Sequence, residues 1–167
     1  MPAELDQLLA FGNELLTGCR EQLATLPITR FGPAQASGRT AAAMRVEGSE
    51  TPDGYRLQLI APSSILTLIF GRKPGRFPPL KDIEQWIADR NIVPRPDKNG
   101  KSISTKSLAF LIGRSIRDKG NTVHQQGGSK LFADILNQDN ISAGIKARVV
   151  PLLVQQVLSE IRQAVAA

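Results

Sequence analysis

Few residues in this chain of 167 are equipped for covalent chemistry, and they are scattered. There is one cysteine, Cys19, and one histidine, His124. A protein-built zinc site needs more thiolates and imidazoles than that. A single cysteine forms no intramolecular disulfide, so a reducing compartment is the natural setting and Cys19 reads as a packing residue. The nearest carboxylate pair is Asp82 and Glu84. Two residues apart on a helix, their side chains diverge. They read as anions of a helix's first turn, not as a general acid–base pair. The stretch "NGKS" at 99–102 mimics the end of a phosphate-binding P-loop. That motif needs glycine where Arg95 stands between Pro94 and Pro96, and a strand feeding the loop. Neither GxGxxG nor GxSxG occurs. The chain is therefore expected to be non-enzymatic, with no catalytic residue, metal or cofactor.

What remains is a binding chemistry. In "GRKPGRFPPLKDIEQWI", residues 71–87, Arg72, Lys73 and Arg76 stand among two glycines and three prolines. Such a loop grips phosphate or docks in one shape against a protein. Residues 71–119 hold twelve cations against five carboxylates, a net +7, so the rest of the chain is at −1 and this segment carries the whole excess of the +6 total. A basic face of this kind favours nucleic acid or an acidic protein surface. Sequence-specific DNA reading is disfavoured. The linker of about twelve residues between the two helices that follow the loop is much longer than a helix-turn-helix allows. The second helix also lacks base-reading residues near its start.

The elements that position these residues are legible from periodicity. Residues 3–25 read as a helix, with leucines at helical spacing, weakened by Gly12 and Gly18 and ended by Pro27. It is either mobile or waits for a neighbour. Residues 28–38 read as loop. Residues 39–48 and 54–62 read as two strands of an antiparallel hairpin around the turn-rich "SETPD". Residues 63–70 read as a third strand or a short helix. From Leu80 a helix runs with Ile83, Trp86 and Ile87 on its inner face, started by Pro78 and Pro79. Asn91 closes it in a left-handed cap. Residues 92–103 form a polar linker. Residues 104–120 form a helix with Leu108, Leu111, Ile112 and Ile116 inward and Arg114, Arg117 and Lys119 outward, stopped by Gly120. His124 falls in a loop, and 129–138 is a short helix capped by Ser129. Residues 142–166 form a last amphipathic helix that Pro151 either kinks or starts. No segment reads as a membrane span of about 18 apolar residues, and the N-terminus lacks a signal peptide's basic region. The expected fold is α+β, a small antiparallel sheet packed with an N-terminal helix and several C-terminal helices.

Five segments in this order carry a resemblance. They are "ASGRTAAAMRVE" (36–47), "YRLQLIAP" (55–62), "FGRKPGRFPPLKDIEQWI" (70–87), "KSLAFLIGRSIRDKGN" (106–121) and "KLFADIL" (130–136). Together they resemble the tailed-bacteriophage tail-completion or neck (head–tail joining) proteins. The GRKPGRFPP loop with Trp86 and Phe110 downstream is the specific part. The length suits a single domain: an N-terminal helix over 1–27, an α+β core over 28–138 that carries the resemblance, and a C-terminal amphipathic helix over 139–167. The resemblance implies a non-enzymatic virion subunit, assembled in the bacterial host cytoplasm into a six- or twelve-fold ring at the neck. The partners would be further copies of itself, the connector or portal-side proteins and the tail tube, without a membrane. Arg72, Lys73 and Arg76 would face the next subunit or packaged DNA. Ile83, Trp86, Ile87 and Phe110 would anchor the core. The alternative is a basic DNA-binding accessory protein without catalytic activity.

Overall fold

Alternation of side chains in "GYRLQLI" demands a strand with one wet face, and it pairs as expected. In a computed structural model, which describes residues 2–29, 32–34, 36–96, 100 and 102–166, the fold is α+β. Strands β3 (Arg45–Thr51) and β4 (Gly54–Ile60) form an antiparallel hairpin, with Arg45 opposite Ile60 and Thr51 opposite Gly54. The turn is therefore the two residues Pro52 and Asp53, tighter than the "SETPD" stretch suggested. A second, minimal ladder joins β1 (Pro27–Thr29) to β2 (Gly32–Pro33), inside the stretch expected to be loop.

The chain divides into two compact units. The first comprises Met1–Gln22, Ala43–Pro62 and Phe132–Ala167. It contains the hairpin, most of helix α1 (Ala3–Thr25), α7 (Gln138–Arg148) and α8 (Val150–Ala166). The glycines that weaken α1 as an isolated helix are its points of close approach. A methyl on Gly12 would stand 2.7 Å from Val46 and 3.0 Å from Leu57, and one on Gly48 would stand 2.9 Å from Leu9. Helix and hairpin thus press together where each lacks a side chain. Leu5, Leu8, Phe11, Leu16 and Cys19 are buried along α1. Gly144 of α7 lies directly on the Phe11 ring. The Arg148 guanidinium lies 4.9 Å from that ring's centroid and pairs with Glu14.

The second unit comprises Leu23–Ala42 and Ser63–Leu131. It holds the β1–β2 ladder, α2 (Arg39–Ala43) apart from its last residue, α3 (Ser64–Phe70), α4 (Leu80–Asp89), α5 (Thr105–Lys119) and α6 (Thr122–Gln125). Its core joins α4 to α5. Ile83, Ile87 and Ala109 are buried, with Leu80, Trp86, Ile92, Leu108 and Ile112 packed around them. Helix α4 ends as expected at Asn91, whose φ is 50°. The Asn91 N–H donates to the Ala88 carbonyl at 3.0 Å and the Ile92 N–H to the Ile87 carbonyl at 3.0 Å. These are the two bonds of a Schellman cap, and Ile92 adds its apolar contact to the core. Ser104 caps α5, its hydroxyl accepting from the Ser107 N–H at 3.1 Å.

Several expectations are corrected. Residues 39–43 are helix, not strand. "RTAAA" has the strongest helix former three times over, and the strand begins only after buried Met44. Residues 63–70 resolve to helix α3. His124 belongs to α6, not to a loop. Residues 131–135 are consecutive turns, not a helix capped by Ser129. There Phe132 takes a φ of 66°, which breaks helical continuity, and its N–H donates to the Gln22 side chain at 2.8 Å. Leu111 on α5 is exposed rather than inward. The last helix is two, with α8 starting at Val150 and Pro151 in its first turn, where a missing N–H is harmless. Taken together, Gln138–Val165 is long and apolar enough to cross a membrane, with a mean hydropathy of 1.3 over its best window, where no such segment was expected. Of the "NGKS" stretch, Asn99 and Lys101 lie outside the described residues.

Candidate functional site

The basic loop takes its shape from what its glycines permit. Helix α3 stops at Gly71, whose φ is 75° and ψ 177°. Only glycine holds that conformation without strain. It also lets the chain pass α6 closely, since a methyl on Gly71 would stand 2.2 Å from the His124 backbone nitrogen. Gly120, at φ 76° and ψ 174°, is the matching point at the end of α5. A methyl there would meet the Arg72 carbonyl at 2.8 Å.

Asn121 clips the two chains together. Its side-chain oxygen accepts from the Arg72 N–H at 2.9 Å and from the His124 N–H at 3.0 Å. Its own N–H donates to the Arg72 carbonyl at 3.0 Å. One residue thus caps α6 and fastens the first cation of the loop. Further on, the Gly75 N–H donates to the Arg117 carbonyl at 2.7 Å. Phe77 then lies over Gly113, where an added methyl would stand 2.6 Å from the ring, and tilts against Phe110 with centroids 5.7 Å apart. Positions 110, 113 and 117 share one face of α5. The loop therefore runs antiparallel along that face, held at three successive turns, and buried Pro78 leads into α4.

The electrostatics follow from this fastening. Arg72 is half-buried, and its guanidinium reaches the Arg76 carbonyl at 3.5 Å; Lys73 and Arg76 are exposed. The Gly75–Arg117 bond brings this loop beside the basic end of α5, which carries Arg114, Arg117 and Lys119. Asp118 is the carboxylate in that group. Its hydrogen bond from Arg117, at 2.7 Å, holds its carboxyl below the usual aspartate range, and Arg114 lies 3.9 Å away. Asp118, with Asp82 in the cavity beside Arg72, does not neutralise six cations, so the surface is a positive one suited to phosphate or carboxylate partners.

Beside Arg72 opens a cavity of about 450 Å³ whose walls include Leu68, Ile83, Trp86, Ile112 and Val123, with Asp82 and Arg90 at its polar points. Its wall is mainly apolar, and among the described residues no group of three or more His, Cys, Asp or Glu comes together to hold a metal. Asp82 lines this cavity and Glu84 does not.

The expected anchors divide. Ile83 and Ile87 are buried, and Trp86 is half-buried against them. Phe110 departs from the expected role: it is 51% exposed and lines a separate shallow hollow with Leu80, Leu111 and the start of α5. Helical periodicity puts Phe110 next to the apolar stripe, but Ala109 is the residue that meets α4. Asn121 went unsingled in the sequence. Its signal was a glycine stop followed by Asn, the pattern of a cap for a further short helix.

The second candidate surface is α8. Val150, Leu153, Val154, Val157, Leu158, Ile161 and Val165 are 44–83% exposed. Monomers rarely leave so many contiguous aliphatic side chains in water. No family model, curated protein or solved structure matches this chain.

Proposed function

We propose that this chain is a non-enzymatic assembly subunit of the tailed-phage neck type, a virion component that joins copies of itself into a ring between capsid connector and tail. The observation that carries the reading is the exposed aliphatic face of α8. Water penalises it at about 25 cal/mol per Å² of apolar surface, and a subunit meant to be assembled has a use for such a face. The resemblance over 36–136 gives the reading its class. The fastened basic loop supports it further: a loop already ordered by Asn121 and Gly75 loses little entropy on docking. Arg72, Lys73 and Arg76 would meet acidic residues of a neighbouring subunit or the packaged DNA.

Sedimentation velocity of the purified chain tests this, alone and mixed with connector or tail-tube proteins. The expected result is a ring-sized species. A strict 18.1 kDa monomer that joins no particle would overturn it. The cations of the loop and α5 favour one second reading, a DNA-binding accessory protein. It expects a DNA affinity that falls steeply with salt, and no binding at low salt removes it.

A further inference from the structure

Helix α8 has a polar and an apolar side, and its apolar side has a spacing. At 100° per residue the exposed aliphatic residues fall within an arc of about 140°. Val150, Val154, Val157 and Ile161 form the centre of that arc, separated by four, three and four residues. Leu153 and Leu158 widen it on either flank. A 4-3-4 seam of β-branched residues meets its complement in another helix with the same seam, knob into hole.

Lipid suits this helix poorly. Outside that arc lie Gln155, Gln156, Ser159, Arg162 and Gln163 with Leu152 among them, and Glu160 at its edge beside Leu153. That is one cation and one anion without an aromatic, whereas helices that lie on membranes bring Lys and Arg on the polar face and Trp or Phe on the other. A span over Gln138–Val165 would also have to strip α7 from its unit. There Gly144 sits on Phe11, Arg148 pairs with Glu14 and Val149 is buried. From Val150 onward the polar side would face hydrocarbon.

Area and charge favour a second copy. The exposed seam and flanks amount to roughly 600 Å², so two copies together would remove roughly 1,200 Å² from water, the lower bound of a specific, stable interface. With a single Glu160 and a single Arg162, identical helices meet without a block of like charge. We propose that α8 is a self-association helix whose aliphatic seam packs against α8 of a second copy of this chain. The proposal rests on the assembly-subunit reading only in its choice of class; it names a contact that joins copies in pairs, and other surfaces would close a ring of such pairs.

The test compares the full chain with its V157E/I161E variant by sedimentation velocity over a concentration series, with circular dichroism melts of both. Because both positions are exposed, the variant is expected to melt like the parent while losing association. A parent that assembles and a variant that is monomeric supports the seam. Equal assembly of both overturns the seam and leaves the subunit reading standing. A parent that stops at a dimer, dissolved by the substitution, supports the seam and overturns the ring. A parent that is monomeric throughout overturns both, and co-flotation with phosphatidylcholine vesicles, lost in the variant, would then identify lipid as the occupant. Should the variant melt early, Val157→Cys in the otherwise intact chain replaces it. Disulfide-linked dimers under mild oxidation support the seam, and their absence in an assembled sample overturns it.

Discussion

Replacing Gly71 with alanine probes the fastening of the basic loop at its tightest point. Two penalties act at this position. The backbone sits at φ 75° and ψ 177°, a region that costs a non-glycine residue about 1–3 kcal/mol. The new methyl would also stand 2.2 Å from the His124 nitrogen and 2.5 Å from its Cα. Both atoms are backbone, held in α6 by the Asn121 cap, so they cannot swing aside as a flexible side chain would. Overpacking of this kind adds about 1–3 kcal/mol. Reduced freedom of the unfolded chain returns about 0.4–1 kcal/mol. The net expectation is a loss of roughly 2–5 kcal/mol. Gly75→Ala is the control. Its φ is 123° and an added methyl meets nothing within 4 Å, so the overpacking term is absent and the backbone penalty of about 1–3 kcal/mol, less the same return of about 0.4–1 kcal/mol, applies. Urea unfolding followed by the fluorescence of Trp86, the one tryptophan and a member of the same unit, reads both variants. Should Gly71→Ala cost no more than Gly75→Ala, the close passage of the loop over α6 is wrong, and with it the fixed presentation of Arg72.

Other outcomes follow from the same packing. Lys73→Ala with Arg76→Ala removes exposed cations, so the melt should stay within about 0.5 kcal/mol of the parent while assembly or DNA affinity weakens; a matching loss of stability would refute the separation of docking from folding. Trp86→Ala should cost roughly 2–3 kcal/mol by circular dichroism, below the 3–5 typical of an enclosed aromatic, because Trp86 is half-buried; a loss under about 1 kcal/mol would deny it a place on the Ile83–Ile87 core. Cys19 is fully enclosed, and burial pushes its thiol up from 9.0 to about 11. The folded state therefore holds its proton more tightly than the unfolded one. The stabilisation is fully present below pH 9 and is lost toward pH 11, at up to about 1.4 kcal/mol per pH unit. Cys19→Ala should flatten that alkaline decline, and an unchanged decline would refute Cys19 as its source.

Local patterns in the sequence determined the elements whose signals are themselves local. Leucine periodicity defines α1, side-chain alternation defines β4, and Pro151 marks where α8 starts. Asn91 takes its left-handed cap because Asn tolerates positive φ. Where a second influence competed, the pattern was insufficient. "RTAAA" preceding a strand pattern extends that pattern on paper, yet alanine prefers helix. "SKLFADILNQ" has helical spacing, yet Phe132 leaves the helical region to place its N–H on Gln22. Phe110 and Ala109 are adjacent in sequence but about 100° apart around α5, and only the approach of α4 decides that the small residue goes under and the large one stays out.

The same division holds for the candidate surfaces. Composition alone located the positive charge in residues 71–119 and the stiff, proline-bearing loop within them. Periodicity alone gave the last helix an apolar side. Only the tertiary structure joined Arg72 to Asn121 and Gly75 to Arg117, because those bonds link residues more than forty positions apart. Only it left the aliphatic side of α8 uncovered. A hydrophobic pattern records which face of a helix must leave water; what covers that face depends on the surfaces brought to it, and among the described residues of its own unit none covers the aliphatic side of α8.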